Sequence, residues 1–221
     1  MEKREFLKFA GIGAIAASAG AVAEYISSPG IPRSTPTWLA EKTEQNLKNA
    51  FSGESQANIR YTLFSTTATD EKLDNVARLF KAIAYAEQVH ARNHFENLKN
   101  LKEAAMTYGM AGFGPGDTSK NLDIAIEGET FEITQMYPAY LEKATQENSG
   151  DAERSFHFAL EAEKRHVNMF KEAKGAIDSG KDINIEKIHI CSVCGYTGEG
   201  EAPDICPICG APKQKFVLFQ K

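Results

Sequence analysis

Two short patterns in this chain place a carboxylate and an imidazole three residues apart: Glu87-Gln88-Val89-His90 and Glu163-Lys164-Arg165-His166. On a helix, residues i and i+3 share a face, so each pair offers an oxygen and a nitrogen donor to one point. A single glutamate precedes each pair, Glu54 before the first and Glu129 before the second. One Glu-x-x-His is common on solvated helices, but two copies at matched offsets form an internal repeat. Two single glutamates and two Glu-x-x-His pairs, drawn from four helices, make up the ligand set of a carboxylate-bridged di-iron centre. Charge gives the reason. Two Fe(II) ions carry four positive charges, which four carboxylates neutralise in a dry core. Without a cation, the same burial costs several kcal/mol per carboxylate or forces protonation. Bridging by Glu87 and Glu163 would hold the metals close enough for two-electron chemistry.

Glu132 lies three residues after Glu129 on the same face, one carboxylate more than a storage site needs. Tyr61 and Tyr137 can donate hydrogen bonds to the ligands or simply pack in the core. Glu96, Glu127, Glu153 and Glu161 read as surface charges. His94 and His157 lack a carboxylate at i−3, and read as helix-surface residues or as supports behind the ligands.

A second constellation sits near the C-terminus. Cys191-Ser192-Val193-Cys194-Gly195 and Cys206-Pro207-Ile208-Cys209-Gly210 hold all four cysteines of the chain. Two such knuckles can surround one metal tetrahedrally. The glycine after each lets backbone N–H groups turn toward the sulfurs. Iron and a structural zinc both suit this spacing, and disulfides are the third reading.

These ligands need long helices to carry them. Apolar periodicity predicts helices over about 38–65, 69–108, 119–147 and 151–177. Leu47, Phe51, Glu54, Asn58, Tyr61 and Leu63 track one broad face of the first. Leu79, Phe80, Ile83, Ala84, Glu87 and His90 share a face of the second. Pro138 should kink the third or open one of its hydrogen bonds. Residues 109–116 form a loop rich in glycine, and Asn148-Ser149-Gly150 is a break. The fold class is therefore mainly α, a four-helix bundle followed by a small cysteine module. Domain boundaries fall at 1–36 (address and linker), 37–178 (bundle), 179–187 (short polar linker) and 188–221 (module). A linker of that kind should let the module be removed without exposing the bundle core.

The formal net charge is −5 with basic residues scattered among acids, so no electrostatic footprint for nucleic acid exists. Lys3-Arg4-Glu5-Phe6-Leu7-Lys8 is a charged head, followed by an uncharged Ala/Gly-rich run to Ala23. That run is too short for a stable membrane span. With Ala21-Val22-Ala23 as a cleavage site, the segment is expected to be a twin-arginine-like export signal, with Lys3 in place of the first arginine. A cytoplasmic chain is the alternative, and cytosolic protein with residues 1–23 intact would establish it.

The order and spacing of Gly53-Glu54-Ser55-Gln56-Ala57, Glu87-x-x-His90, Gly128-Glu129-x-x-Glu132, Met136-Tyr137-Pro138, Glu163-x-x-His166 and the two cysteine knuckles resemble the rubrerythrin family. The resemblance spans about residues 41–219. It implies a ferritin-like bundle fused to a rubredoxin-like Fe(Cys)₄ domain, with two irons per chain in the bundle and one in the module. It implies reduction of hydrogen peroxide to water in oxidative-stress defence, with electrons entering through the tetrathiolate iron. The donor would be a redox protein such as rubredoxin or its NAD(P)H-dependent reductase. Glu54 and Glu129 would be terminal ligands, Glu87 and Glu163 bridges, and His166 a constant ligand. Glu132 and His90 would exchange at the other iron on reduction. A head-to-tail homodimer would bring one subunit's module to its partner's di-iron centre. Two other functions compete. A ferroxidase or iron-handling ferritin-like protein would have no use for an electron inlet. A pure electron carrier would have no use for two Glu-x-x-His pairs.

Overall fold

The computed structural model describes residues 42–99 and 116–221; the segment expected to be an export signal and most of the loop expected at 109–116 lie outside them. Five α-helices and a small sheet make up the described chain: α1 Thr43–Asp70, α2 Asp74–Glu96, α3 Thr118–Phe131, α4 Tyr137–Gln146 and α5 Gly150–Asp178, then strands β1 Lys187–Cys191, β2 Thr197–Glu199 and β3 Phe216–Gln220. A π-helical segment, Glu132–Met136, joins α3 to α4, so the two serve as one bundle helix. None of these helices is long and apolar enough to cross a membrane.

The first helix runs further than its sequence suggests. Thr62, Thr66, Thr67 and Thr69 turn their hydroxyls back to carbonyls four residues earlier, so polar residues that could have started a second helix prolong the first. The break comes at Lys72, which adopts a left-handed φ of 63°. Leu63 does not belong to the inner face. It is 52 % exposed, two residues beyond the buried Tyr61, and two helical residues are about 200° apart. On α2 all six face residues named above are buried. That helix ends at Glu96, short of the predicted end at 108; residues 100–115 are not described.

Two apolar clusters fill the bundle. One holds Tyr61, Phe64, Phe80, Leu122, Met169 and Phe170. The other holds Leu47, Leu98, Met136, Tyr137, Tyr140 and Phe156. Each bundle helix, or for the second the helix with Leu98 just beyond its end, runs from one cluster to the other, and the change falls at a carboxylate. On α1 the change falls at Glu54, on α2 at Glu87 and His90, after α3 at Glu129, and on α5 at Glu163 and His166. The polar layer is thus sealed at both ends by hydrocarbon, which excludes water and raises the cost of uncompensated charge.

The sheet has order β2-β1-β3, both pairs antiparallel. Ile188 and Ile190 of β1 are fully buried and belong to the first bundle cluster, as do Ile183 and Ile185 of the connecting segment. Asp182 of that segment accepts hydrogen bonds from the Asn75 and Val76 N–H groups, capping α2. Asn75 and Arg78 donate to the Ile183 and Ile185 carbonyls. The expectation of a free polar linker is therefore corrected. Its alternating isoleucines complete the bundle core, and removing the module from Gly180 onward would uncover it.

Candidate metal centres

Six of the seven ligand candidates of the bundle converge. Glu54, Glu87, His90 and Glu163 bring ligand atoms within 4.8 Å of one another, and so do Glu87, Glu129, Glu163 and His166. The two sets share Glu87 and Glu163, and a carboxylate common to two sets has an oxygen for each. All six residues are buried. His90 turns Nδ1 toward Glu163 Oε1 (2.7 Å) and Glu87 Oε2 (2.9 Å). His166 Nδ1 contacts Glu163 Oε2 and faces Glu87 Oε1 at 3.3 Å and Glu129 Oε2 at 3.6 Å. Glu132 is in neither set; it is half-buried at the first position of the π segment. Such segments are rare and concentrate at functional sites. It falls between the ligand candidate Glu129 and Pro138, whose missing N–H breaks the ordinary ladder.

Electrostatics tests whether a metal fits. Burial first, then repulsion from Glu132 and Glu87, pushes the Glu54 carboxyl well above the usual range. Glu163 is pushed up by burial and by Glu129 and Glu87. Glu132 is raised by burial and by Glu129. Glu87 is the exception: burial opposes its charge, yet His166 and His90 hold it down to about 2. Burial also opposes the charge of His166, but Glu163 and Glu87 outweigh it and raise that imidazole well above its ordinary value. Glu54 Oε2, Glu87 Oε1 and Glu129 Oε2 have no hydrogen-bond donor. Buried acceptors left unsatisfied are costly, and three of them aimed inward at one place ask for cations. Hard oxygen donors with outlying imidazoles suit iron in both oxidation states.

Supports behind the ligands are well defined. The Tyr61 hydroxyl donates to Glu129 Oε1 at 2.6 Å, while its ring packs against Phe80 and Phe170. Both readings of that tyrosine therefore hold. Tyr137 donates to Glu54 Oε1. Its oxygen lies 3.0 Å from His94 Nε2, and His94 Nδ1 lies 2.9 Å from Ser155 Oγ. Since Tyr137 gives its proton to Glu54, His94 must donate from Nε2 and accept from Ser155. Burial, with the nearby His90, lowers His94 to about 3 and keeps it neutral. His94 is thus no surface residue. The sign was its spacing, seven from Glu87 and four from His90 along one helix face. His157 is exposed, as are Glu96 and, in part, Glu127, Glu153 and Glu161.

The four cysteines form a second centre. Their sulfurs lie within 4.8 Å of one another, with Cys191–Cys209 at 3.7 Å and Cys194–Cys206 at 3.5 Å. A tetrahedron with ~2.3 Å metal–sulfur bonds has edges of about 3.8 Å, whereas a disulfide needs about 2.05 Å. Hydrogen bonding from Cys194 holds the Cys191 thiol down to about 5, and the proton withheld there pushes Cys194 up. Four thiols this close share their protons unevenly until a cation replaces them. Gly195 and Gly210 have φ of 81° and 73°, as the knuckle turns require.

The module rests on the bundle of its own chain. Arg92 and Asn93 of α2 donate to the Ser192 and Val193 carbonyls at 2.7 and 2.8 Å, and Tyr85 packs on Phe219. Gly195 lies so close to the His90 ring that a Cβ would collide with it. Thr197 Oγ1 is 2.8 Å from His166 Nε2. The juxtaposition expected across a dimer is therefore already present within one chain.

The comparisons with known proteins agree with these two centres. The family model for rubrerythrin matches residues 45–174, and that for the rubrerythrin rubredoxin-like domain matches 189–217. Rubrerythrin-2 of Clostridium acetobutylicum is 47 % identical over 178 residues, covering 80 % of this chain and 96 % of that protein. Nigerythrin of Nitratidesulfovibrio vulgaris is 33 % identical, covering 80 % and 86 %. A solved structure of fully reduced, all-ferrous nigerythrin superposes with a TM-score of 0.74 at 28 % identity, covering 95 % of this chain and 98 % of that one.

Proposed function

The chain belongs to the rubrerythrin family, with a ferritin-like di-iron domain and a rubredoxin-like iron domain, and from that premise we propose that it reduces hydrogen peroxide to water. The balance is one peroxide, two electrons and two protons to two waters. One observation carries the reading: a four-cysteine knuckle lies against the histidines of a site built for two metals. An iron store has no use for an electron inlet there, and a pure carrier has no use for the six buried ligands. In this reading Glu54 and Glu129 are terminal ligands, Glu87 and Glu163 bridges, His90 and His166 the nitrogen donors. Cys191, Cys194, Cys206 and Cys209 hold the third iron. The bound irons would supply the two electrons needed to break the O–O bond.

The protein's own groups do the rest. Tyr137 and Tyr61 fix one oxygen of Glu54 and of Glu129, leaving the other oxygen of each free to bind metal. The two apolar clusters keep bulk water from the ligand layer, which strengthens every charge interaction inside it. Glu132, outside both ligand sets, is the carboxylate that would exchange with His90. The electron donor in this proposal is a one-electron redox protein.

The experiment is anaerobic reduction of the full-length protein followed by two equivalents of peroxide, enough to take all three electrons that a fully reduced chain would hold. Metal analysis should give three irons per chain. Thiolate-to-iron absorption should be bleached on reduction and return as peroxide is consumed. A colourless, zinc-filled module in protein isolated from its native host would sink the reading. So would peroxide consumption that leaves the module reduced.

A further inference from the structure

Four buried residues, Glu54 on α1, Tyr137 on α4, His94 on α2 and Ser155 on α5, form one hydrogen-bonded string across the bundle. The direction of each bond follows from the carboxylate end. As a metal ligand Glu54 carries no proton, so the Tyr137 hydroxyl donates to its Oε1. A hydroxyl has one proton, so the Tyr137 oxygen accepts from His94 Nε2 at 3.0 Å. That holds for a neutral or a charged ring. Burial keeps the ring neutral, so Nδ1 accepts from Ser155 Oγ at 2.9 Å, the only hydrogen-bond partner of that hydroxyl among the described residues. His94 Nε2 stands 3.9 Å from Glu54 Oε1, too far for a hydrogen bond, so it reaches the carboxylate through Tyr137. Tyr61 stands behind Glu129 as Tyr137 stands behind Glu54. Its ring, however, packs on Phe64, Phe80 and Phe170, and its hydroxyl has no further side-chain partner among the described residues. The repeat that makes the two ligand sets alike therefore stops at the tyrosines.

The geometry points to His94, fixed by Ser155, as a positioning residue for one metal position only, the one served by Glu54 and His90. The inference rests on the reading of Glu54 as a ligand. With its oxygen occupied by His94, the Tyr137 hydroxyl has one acceptor left, Glu54 Oε1. Glu54 Oε2 makes no hydrogen bond and stays free for metal. Bonds in such a string polarise one another, so Tyr137 holds Glu54 more firmly than an isolated hydroxyl would. A ligating carboxylate that loses its hydrogen-bonded support costs the site about 10- to 100-fold in metal affinity or activity. The Glu129 position draws nothing from His94, so the two irons should respond unequally to its removal.

The test uses the full-length protein loaded with Fe(II) without oxygen, as wild type, His94→Leu, Tyr137→Phe and His94→Gln, the last of which keeps an N–H donor toward Tyr137. Chelator competition should show one of the two bundle irons held about 10-fold or more weakly in His94→Leu. The other bundle iron and the thiolate iron should be unmoved, and His94→Gln should stay close to wild type. Tyr137→Phe should loosen the same single iron. In that background His94→Leu should add nothing, because residues that act as one unit are not additive. In zinc-loaded wild type labelled with ¹⁵N-histidine, His94 should carry its proton on Nε2, with Nδ1 bare. Equal weakening of both bundle irons, no weakening of either, or costs that add in the double variant would overturn the positioning role. So would a wild-type His94 protonated on Nδ1 alone, a result that needs no variant to fold. A wild type that binds no bundle iron would instead overturn the ligand assignment beneath it.

Discussion

Among single residues, Glu163 and Glu132 make the sharpest contrast. Glu163 belongs to both ligand sets and Glu132 to neither, although both are glutamates raised by burial. Glu163→Ala should therefore lose both bundle irons, because a bridge serves two metals. Glu132→Ala should keep both irons and slow peroxide reduction about 10- to 100-fold. Metal analysis beside stopped-flow rates checks this, and equal iron loss in the two variants would make Glu132 merely structural. The convergence of Glu87 with His90 and of Glu163 with His166 was legible in the sequence because i, i+3 spacing is a geometric statement about a helix. Thr197 was not, since its contact crosses from β2 to α5, and no local pattern encodes that. Titration of the ligands gives a second prediction at this scale, for protein whose bundle is emptied while the four thiols stay metallated. His166 has a folded pKa above its unfolded value, so its contribution is complete below about pH 6.5 and is lost as pH rises through the folded value. Glu54 and Glu163 add the same sign from lower pH upward. His94 and Glu87 favour the fold with rising pH, but only below about 6.5 and 4.5. Between pH 6.5 and 8.5 the melting temperature of the emptied protein should fall by a few degrees or more. Filling the bundle should flatten the profile; a rise in the emptied protein across that window would contradict it.

The elements themselves were read well where a buried stripe set the period. The α2 face from Leu79 to His90 and the α5 face carrying Glu163 and His166 are as the pattern requires. Boundaries were harder, because hydroxyl side chains can end a helix or bond back to it. Thr62 to Thr69 took the second course, and only the left-handed turn at Lys72 stopped α1. Pro138 was expected to kink its helix or to open one hydrogen bond. The structure alters the ladder locally, with a π segment placed between Glu129 and the proline. That segment shifts the register of Tyr137 relative to Glu129, and both then point into the same layer, one as a ligand candidate and the other as donor to Glu54. The four short isoleucine positions after Gly180 carried no period long enough to read, yet they form the seam between bundle and sheet.

That seam decides how the whole molecule should unfold. Ile183, Ile185, Ile188 and Ile190 share a core cluster with Phe80 and Phe170, and Asp182 caps α2 from outside the bundle. Core contacts of this kind make the two domains one cooperative unit rather than two beads on a string. Thermal unfolding followed by far-ultraviolet dichroism, which reports the helices, should therefore coincide with loss of the thiolate charge-transfer colour, which reports the module. Ile183→Ala lies outside every cluster of ligand candidates and removes a side chain only 6 % exposed. It should cost about 2–4 kcal/mol, lowering both transitions together by several degrees. A chain ending near Gly180 loses all four isoleucines, the α2 cap and the Arg78 bond to Ile185 at once. It should melt far lower or aggregate, even when every bundle ligand from Glu54 to His166 is present. Two separated transitions, or a truncated bundle as stable as the full chain, would show that the seam is incidental. Coincident transitions would mean that the cysteine module cannot detach without loosening the bundle site, which fits a module whose Thr197 reaches His166 of the bundle.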